Sequence, residues 1–217
     1  MNTAGPAMGQ AVALRQTGNH AIYNRCKMDG FQDTLYVHRG RQFYRDCLVM
    51  GTVDIIFGDA SVVFQGCTIM PKLPLPGQNN MTTSQGRTKD TNTGISIQNC
   101  TIVPSPSLEA NVTAAKTYLG RPWKQFSRTI FMESYIDSFI DAEGWHKMEG
   151  AKFGVDQLFY GKYENWGPGA DTSKRVNWSG YHDPVQALDF TVAKLIGGDW
   201  LDSNIVNYTL GIFNETH

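Results

Sequence analysis

The sequence predicts an all-β chain wound as a parallel β-helix, with one short helix near its C-terminus. Three observations carry that reading. Similar short frames recur along the chain, at first with a period near 20 residues. The repeat unit is rich in Val, Ile, Phe and Tyr and too short for a helix pair. Polar side chains recur at the same period. Self-similarity of that length marks a solenoid, and one strand-rich turn per repeat makes a β-helix.

The frames are written around the four cysteines. They read Tyr23-Asn24-Arg25-Cys26-Lys27-Met28, Tyr44-Arg45-Asp46-Cys47-Leu48-Val49, Phe64-Gln65-Gly66-Cys67-Thr68-Ile69 and Ile97-Gln98-Asn99-Cys100-Thr101-Ile102. A fifth, Phe131-Met132-Glu133-Ser134-Tyr135-Ile136, has Ser at the marked position. A large apolar residue lies three before each mark and another two after it. The marks are 21, 20, 33 and 34 residues apart, so the last two intervals are expected to hold loops. Pro71-Lys72-Leu73-Pro74-Leu75-Pro76-Gly77 and Pro104-Ser105-Pro106-Ser107 have loop composition. The alternative is a β-sandwich with coincidental spacing. Residues 185–196 place Val185, Leu188, Val192, Leu195 and Ile196 at helical spacing, without Gly or Pro, and predict a helix covering an end or flank of the coil. No linker or low-complexity segment divides residues 1–217, which read as a single domain.

Equivalent positions on stacked turns fall within disulfide reach, about 4.4–6.8 Å between Cα atoms. Cys26–Cys47 with Cys67–Cys100 is the expected pairing. Cys47–Cys67 meets the same geometry, and a ladder of reduced thiols is the plainer alternative.

Composition removes several function classes. The formal net charge is −1, which gives no general attraction to nucleic acid or an anionic membrane. No apolar run approaches the ~20 residues of a membrane-spanning helix. His20, His38, His146, His182 and His217 show no metal-ligand spacing, so no metal or other cofactor is expected. No Ser sits in a Gly-X-Ser-X-Gly elbow. Arg39-Gly40-Arg41 reads as a solvated turn rather than a polyanion groove. Asn-X-Ser/Thr acceptors at Asn80, Asn99, Asn111, Asn177, Asn207 and Asn214 lean toward a secretory route.

The chemistry lies in the polar repeat. Gln10 and Gln32 are 22 residues apart, and Asp33 and Asp54 are 21 apart. On a coil of that pitch each pair falls on neighbouring turns, with parallel strands about 4.8 Å apart. One carboxylate can attack, the other can donate a proton, and the amides can hold an oxyanion. On spacing alone a solvated polar face is an equal reading.

The local words break the tie. Gln10-Ala11-Val12-Ala13-Leu14, Phe31-Gln32-Asp33-Thr34-Leu35, Gly51-Thr52-Val53-Asp54-Ile55-Ile56-Phe57-Gly58 and Leu119-Gly120-Arg121-Pro122-Trp123 resemble, in order and spacing, the signature segments of the plant pectin methylesterases, or pectinesterases. The likeness continues through Gly86-Arg87, Asn92-Thr93-Gly94-Ile95, Tyr118, Gly144-Trp145, Tyr160-Gly161 and Gly167-Pro168-Gly169. It implies a right-handed parallel β-helix that hydrolyses the methyl esters of homogalacturonan without a metal, secreted to the plant cell wall. It also implies pectin as substrate, a proteinaceous pectin methylesterase inhibitor as a candidate partner, and a monomer.

Carried over by matching segment, Asp54 is the expected nucleophile and Asp33 the general acid, then base. Gln32 is expected to stabilise the oxyanion and Gln10 to bind substrate beside it. Arg121 and Trp123 complete the expected substrate site. Phe31, Ile55 and Asp59 depart from the family pattern, and the Asp59 carboxylate is expected to raise the pKa values of the pair. The chain enters the family pattern downstream of its opening turns, so a partial, N-terminally truncated coil is expected, poorly soluble and less active than a complete relative. Its alternative function is a catalytically silent pectin-binding or vestigial protein. A lyase or polygalacturonase on the same architecture is disfavoured, because the matched segments are those of the esterases.

Overall fold

The computed structural model describes residues 1–179 and 184–213. Strands β1 (Leu14–Gln16), β2 (Ala21–Asn24) and β3 (Lys27–Asp29) make one turn of a coil. β4 (Leu35–Val37), β5 (Arg41–Arg45) and β6 (Leu48–Gly51) make the next. β7 (Ile56–Gly58), β8 (Ser61–Gln65) and β9 (Thr68–Pro71) follow, then β10 (Asn80–Gln85), β11 (Gly94–Gln98) and β12 (Thr101–Ile102). β13 (Thr117–Pro122), β14 (Arg128–Met132) and β15 (Tyr135–Ile136) form the fifth turn, and β16 (Phe159–Tyr163) opens a sixth. Strands that share a place in the turn pair in parallel, giving three sheets: β1-β4-β7-β10-β13, β2-β5-β8-β11-β14-β16 and β3-β6-β9-β12-β15. This is the predicted parallel β-helix, coiled in the right-handed sense that parallel crossovers take.

The recurring frames are the corners between the second and third sheets. At each corner one residue takes a left-handed backbone: Arg25, Asp46, Gly66, Asn99, Glu133 and Glu164, with φ between 48° and 64°. The marked residue follows immediately, and its side chain meets the neighbouring turn. The Cys26 N–H donates to Cys47 Sγ at 3.4 Å, and Cys47 N–H to Cys67 Sγ at 3.4 Å. The Cys100 N–H donates to Ser134 Oγ at 3.0 Å, and Ser134 N–H to Asn165 Oδ1 at 3.0 Å.

The expected disulfides Cys26–Cys47 and Cys67–Cys100, and the alternative Cys47–Cys67, are not formed; all four are free thiols. The sulfurs of Cys47 and Cys67 accept from the backbone of an adjacent turn. All four thiols donate to carbonyls, Cys100 to Gln98 O at 3.2 Å and Cys67 to Tyr44 O at 3.5 Å among them. A thiol ladder therefore meets the backbone demand of the corner, as Ser134 does with a hydroxyl.

The coil is filled by stacked side chains. Tyr23, Tyr44 and Phe64 stack at 4.9 and 4.5 Å on successive turns. A second apolar cluster outside the middle sheet joins Phe43, Val63, Ile130 and Met132 to Phe190, Val192, Leu195 and Ile196 of the C-terminal segment.

The helix predicted over residues 185–196 is broken in two. An α-helix spans Pro184–Leu188 and a π-type turn spans Val192–Ile196, with Thr191 extended between them at φ −72°, ψ 165°. Thr191 Oγ1 donates to Leu188 O at 2.7 Å, closing the first segment. The break lets Phe190 and Val192 both point into the cluster. The Pro104–Ser107 loop holds a one-turn helix, Pro106–Glu109, capped by Ser105 Oγ accepting from Leu108 N–H at 3.3 Å. Asn80 lies fully buried in β10 and donates to Lys72 O at 3.0 Å, so its acceptor motif is structural.

Candidate active site

Asp33 and Asp54 occupy corners of their own, between the third sheet and the first. Both backbones are left-handed, at φ 64° and 52°. Asp tolerates that conformation better than most residues because its short side chain can bond locally. Asp33 N–H donates to Val53 O at 2.9 Å, which stacks the two corners on adjacent turns as the 21-residue spacing required. Asp33 is 9% exposed and Asp54 8%.

Arg121 reaches this pair from β13. It lies in register with Ser84, Phe57, Tyr36 and Arg15 on successive strands of the first sheet. Ser84, the intervening position, is small enough to let the guanidinium pass. Arg121 Nε donates to Asp54 Oδ1 at 2.9 Å and Nη2 to Asp54 Oδ2 at 2.8 Å. Such a fork fixes the plane of the carboxylate. Asp33 has no such clamp, and its Oδ1 is buried without a hydrogen-bond partner. Burial, and then the charge of Asp54, push the Asp33 carboxyl up to about 7, with Arg121 pulling the other way. Asp59 is not among these causes. Its Oδ1 is taken by the hydroxyl of Thr93 at 2.5 Å and the amide of Gln85 at 3.3 Å, which corrects the expectation that it perturbs the pair.

Gln32 precedes Asp33 and lines a pocket of about 190 Å³ with Arg121, Val53, Met81, His146 and Glu149. Gln10 lies one turn away: Ala11 N–H donates to Gln32 O at 3.1 Å. The Gln10 side chain is exposed and, among the described residues, makes no hydrogen bond to the others. Trp123 is half-buried over Gly86, where a Cβ would meet its ring at 2.6 Å. Its ring meets Phe57 edge-on at 6.0 Å, and Phe57 stacks on Tyr36 at 4.4 Å. Arg15 lies over the Tyr36 ring at 5.2 Å. An apolar band thus runs along the coil axis beside the two carboxylates.

Sequence reasoning missed Tyr36, Phe57 and His146. A signal was present for the first two, since each stands three residues after an aspartate of the pair. His146 comes from a loop and had none. The other histidines have local partners: His20 stacks on Trp200, and His38 lies beside Arg15 and Thr17. His182 and His217 lie outside the described residues. Among the described residues, no group of three His, Cys, Asp or Glu side chains is placed to hold a metal ion, and no helix is long and apolar enough to cross a membrane.

Comparison with known proteins places this geometry. Residues 1–199 match the family model described as Pectinesterase. The chain is 55% identical over 216 residues to "Pectinesterase 3" of Solanum lycopersicum, covering 97% of this chain and 40% of that protein. It is 54% identical to "Probable pectinesterase/pectinesterase inhibitor 12" of Arabidopsis thaliana, covering 97% of this chain and 39% of that protein. The chain therefore spans about two fifths of the length of these curated relatives. Among solved structures, "Pectin methylesterase from Carrot" superposes with a TM-score of 0.94 at 45% identity, over 97% of this chain and 67% of that one. With the fold, the aspartate corners and these matches in agreement, the chain belongs to the pectinesterase family.

Proposed function

We propose that this chain carries the hydrolytic centre of a pectin methylesterase, converting methylesterified homogalacturonan and water to pectate and methanol. The observation that carries the reading is the asymmetry of the carboxylate pair. Asp54 is clamped by Arg121 at 2.8 and 2.9 Å, while Asp33 is buried, unclamped and pushed up to about 7. A clamped carboxylate beside a carboxyl that keeps its proton divides the pair into nucleophile and acid.

An Asp54 oxygen attacks the ester carbonyl carbon, and the carbonyl pair moves onto oxygen. The Gln32 amide is the oxyanion donor, and Gln10 binds substrate beside it. Collapse breaks the bond to the methoxy oxygen, which takes the Asp33 proton and leaves as methanol. An anhydride then joins the sugar carboxyl to Asp54. Asp33, now charged, takes a proton from water as that water adds to the acyl carbon. Breaking the bond to Asp54 restores both aspartates and releases the uronic acid, which gives its proton to solvent. Trp123 and Tyr36, with the buried Phe57 packed against both, offer apolar surface to the sugar rings. A cell-wall setting follows from the substrate, and an inhibitor domain or protein is the partner suggested by the names of the relatives.

The test is incubation with highly methylated pectin, following methanol, chain length and unsaturated ends together. Methanol without shortening is expected. Shortened or unsaturated chains without methanol would assign the coil to a different carbohydrate chemistry, and no product would favour a silent binding protein.

A further inference from the structure

The far end of the coil holds a charge that the described residues around it do not balance. Lys162 of β16 stands in register with Phe131, which continues the inward column of Ile97, Phe64, Tyr44 and Tyr23. It is therefore the last rung of an apolar ladder, and it is a cation. Its residue is 6% exposed. Among the described residues it forms no hydrogen bond or ion pair. The nearest charge acting on it is a second cation, Arg175.

Arg175 spends its fork on carbonyls, donating to Asp141 O at 3.0 Å, Ala142 O at 3.1 Å and Gly169 O at 2.5 Å. Its Nε is buried without a partner. The acids near Arg175 are engaged elsewhere: Asp141 with Lys116 at 3.0 Å, and Asp171 with Ser173 at 2.9 Å. Lys162 opens onto a pocket of about 180 Å³ lined also by Tyr163, Asn165, Ala170, Thr172 and the exposed Glu164.

We propose that this pocket, between β16 and the segment that closes the end of the coil, is a binding site for one small oxyanion held by Lys162. Buried ammonium groups are retained when paired, and among the described residues no carboxylate pairs with Lys162. Arg175 acts on Lys162 as a second positive charge, and Thr172, which lines the pocket, carries a hydroxyl able to donate. The ammonium is already held down to about 8 by burial and then by Arg175, as expected of a cation awaiting its counter-ion. Phosphate, sulfate and a single uronate carboxylate share the required chemistry. The site is separate from the aspartate pair and does not depend on the function proposed for it.

The experiment is thermal unfolding of the 217-residue chain at pH 7 in sodium phosphate, and in sodium galacturonate, each against sodium chloride at matched ionic strength. An anion at ten times its Kd is expected to raise Tm by about 4 °C, and K162M is expected to lose the response. A response to phosphate assigns an inorganic oxyanion, and a response to galacturonate alone assigns a sugar carboxylate. No response in either salt, or an equal response in K162M, overturns the proposal. A second readout needs no variant. Acetylation of Lys162 at pH 8, read by peptide mass, is expected to slow at least threefold in whichever salt stabilises the chain. An unchanged rate also overturns the proposal.

Discussion

Replacing Asp33 by asparagine is expected to abolish turnover and yet stabilise the fold above neutral pH. The carboxyl rises from its ordinary 3.8 to about 7 on folding, through burial and then the charge of Asp54. The folded state therefore binds the proton more tightly than the unfolded state. Stability from this group is complete below about pH 4 and declines as pH rises toward 7, where the buried carboxyl ionises. At about 1.4 kcal/mol per pH unit, the loss is at most ~4 kcal/mol by pH 8. The asparagine of D33N carries no charge at any pH, so the variant escapes the loss. Its amide occupies the same partnerless position at both pH values, and that contribution cancels in the comparison. Urea unfolding of wild type and D33N at pH 4 and pH 8 is the assay. D33N is expected to gain ~2–4 kcal/mol relative to wild type between the two pH values. An equal difference at both pH values would refute the argument that Asp33 is held protonated by its surroundings. The same proton governs activity, so kcat/KM for ester cleavage is expected to fall above about pH 7 as Asp33 ionises.

Three further outcomes follow. Arg121→Met leaves Asp54 buried and unclamped, so a loss of ~3 kcal/mol in urea stability and about a hundredfold in kcat/KM is expected; Arg121→Lys keeps the charge but loses the fork, and rescue should be partial. Trp123→Ala removes an apolar face without touching the aspartates; KM for pectin should rise about tenfold with kcat little changed, as steady-state methanol release would show. Alkylation of the denatured chain without reductant should modify all four cysteines, because their sulfurs are committed to the backbone of neighbouring turns rather than to each other.

Much of the coil was legible because its corners repeat. The Cys frames marked one corner and the Asp33 and Asp54 spacing marked another, and both emerged at the pitch read from the chain. The cysteines misled in a different way. Spacing put them on adjacent turns, but only the hydrogen-bond geometry reveals that the backbone claims their sulfurs. The continuous helix expected over residues 185–196 failed because apolar spacing there serves a packing surface, and an extended Thr191 presents Phe190 and Val192 to it better than a straight helix does. Arg121 meets Asp54 across 67 residues and an intervening strand, a contact that the motif resemblance anticipated but periodicity alone did not. Tyr36 and Phe57 passed unnoticed because aromatic residues in strands ordinarily signal core, and the outward phase of their strands is set by register. The inward phase of Lys162 was hidden for the same reason.

The most direct test of the central claim is methanol release from methylesterified pectin by wild type and Asp54→Asn, with circular dichroism as a check on folding. The substitution keeps the volume and the corner, and removes only the charged nucleophile. The expected result is steady release by wild type and a loss of at least about a hundredfold in the variant, with unchanged spectra. A folded Asp54→Asn chain that released methanol at near wild-type rate would contradict the account.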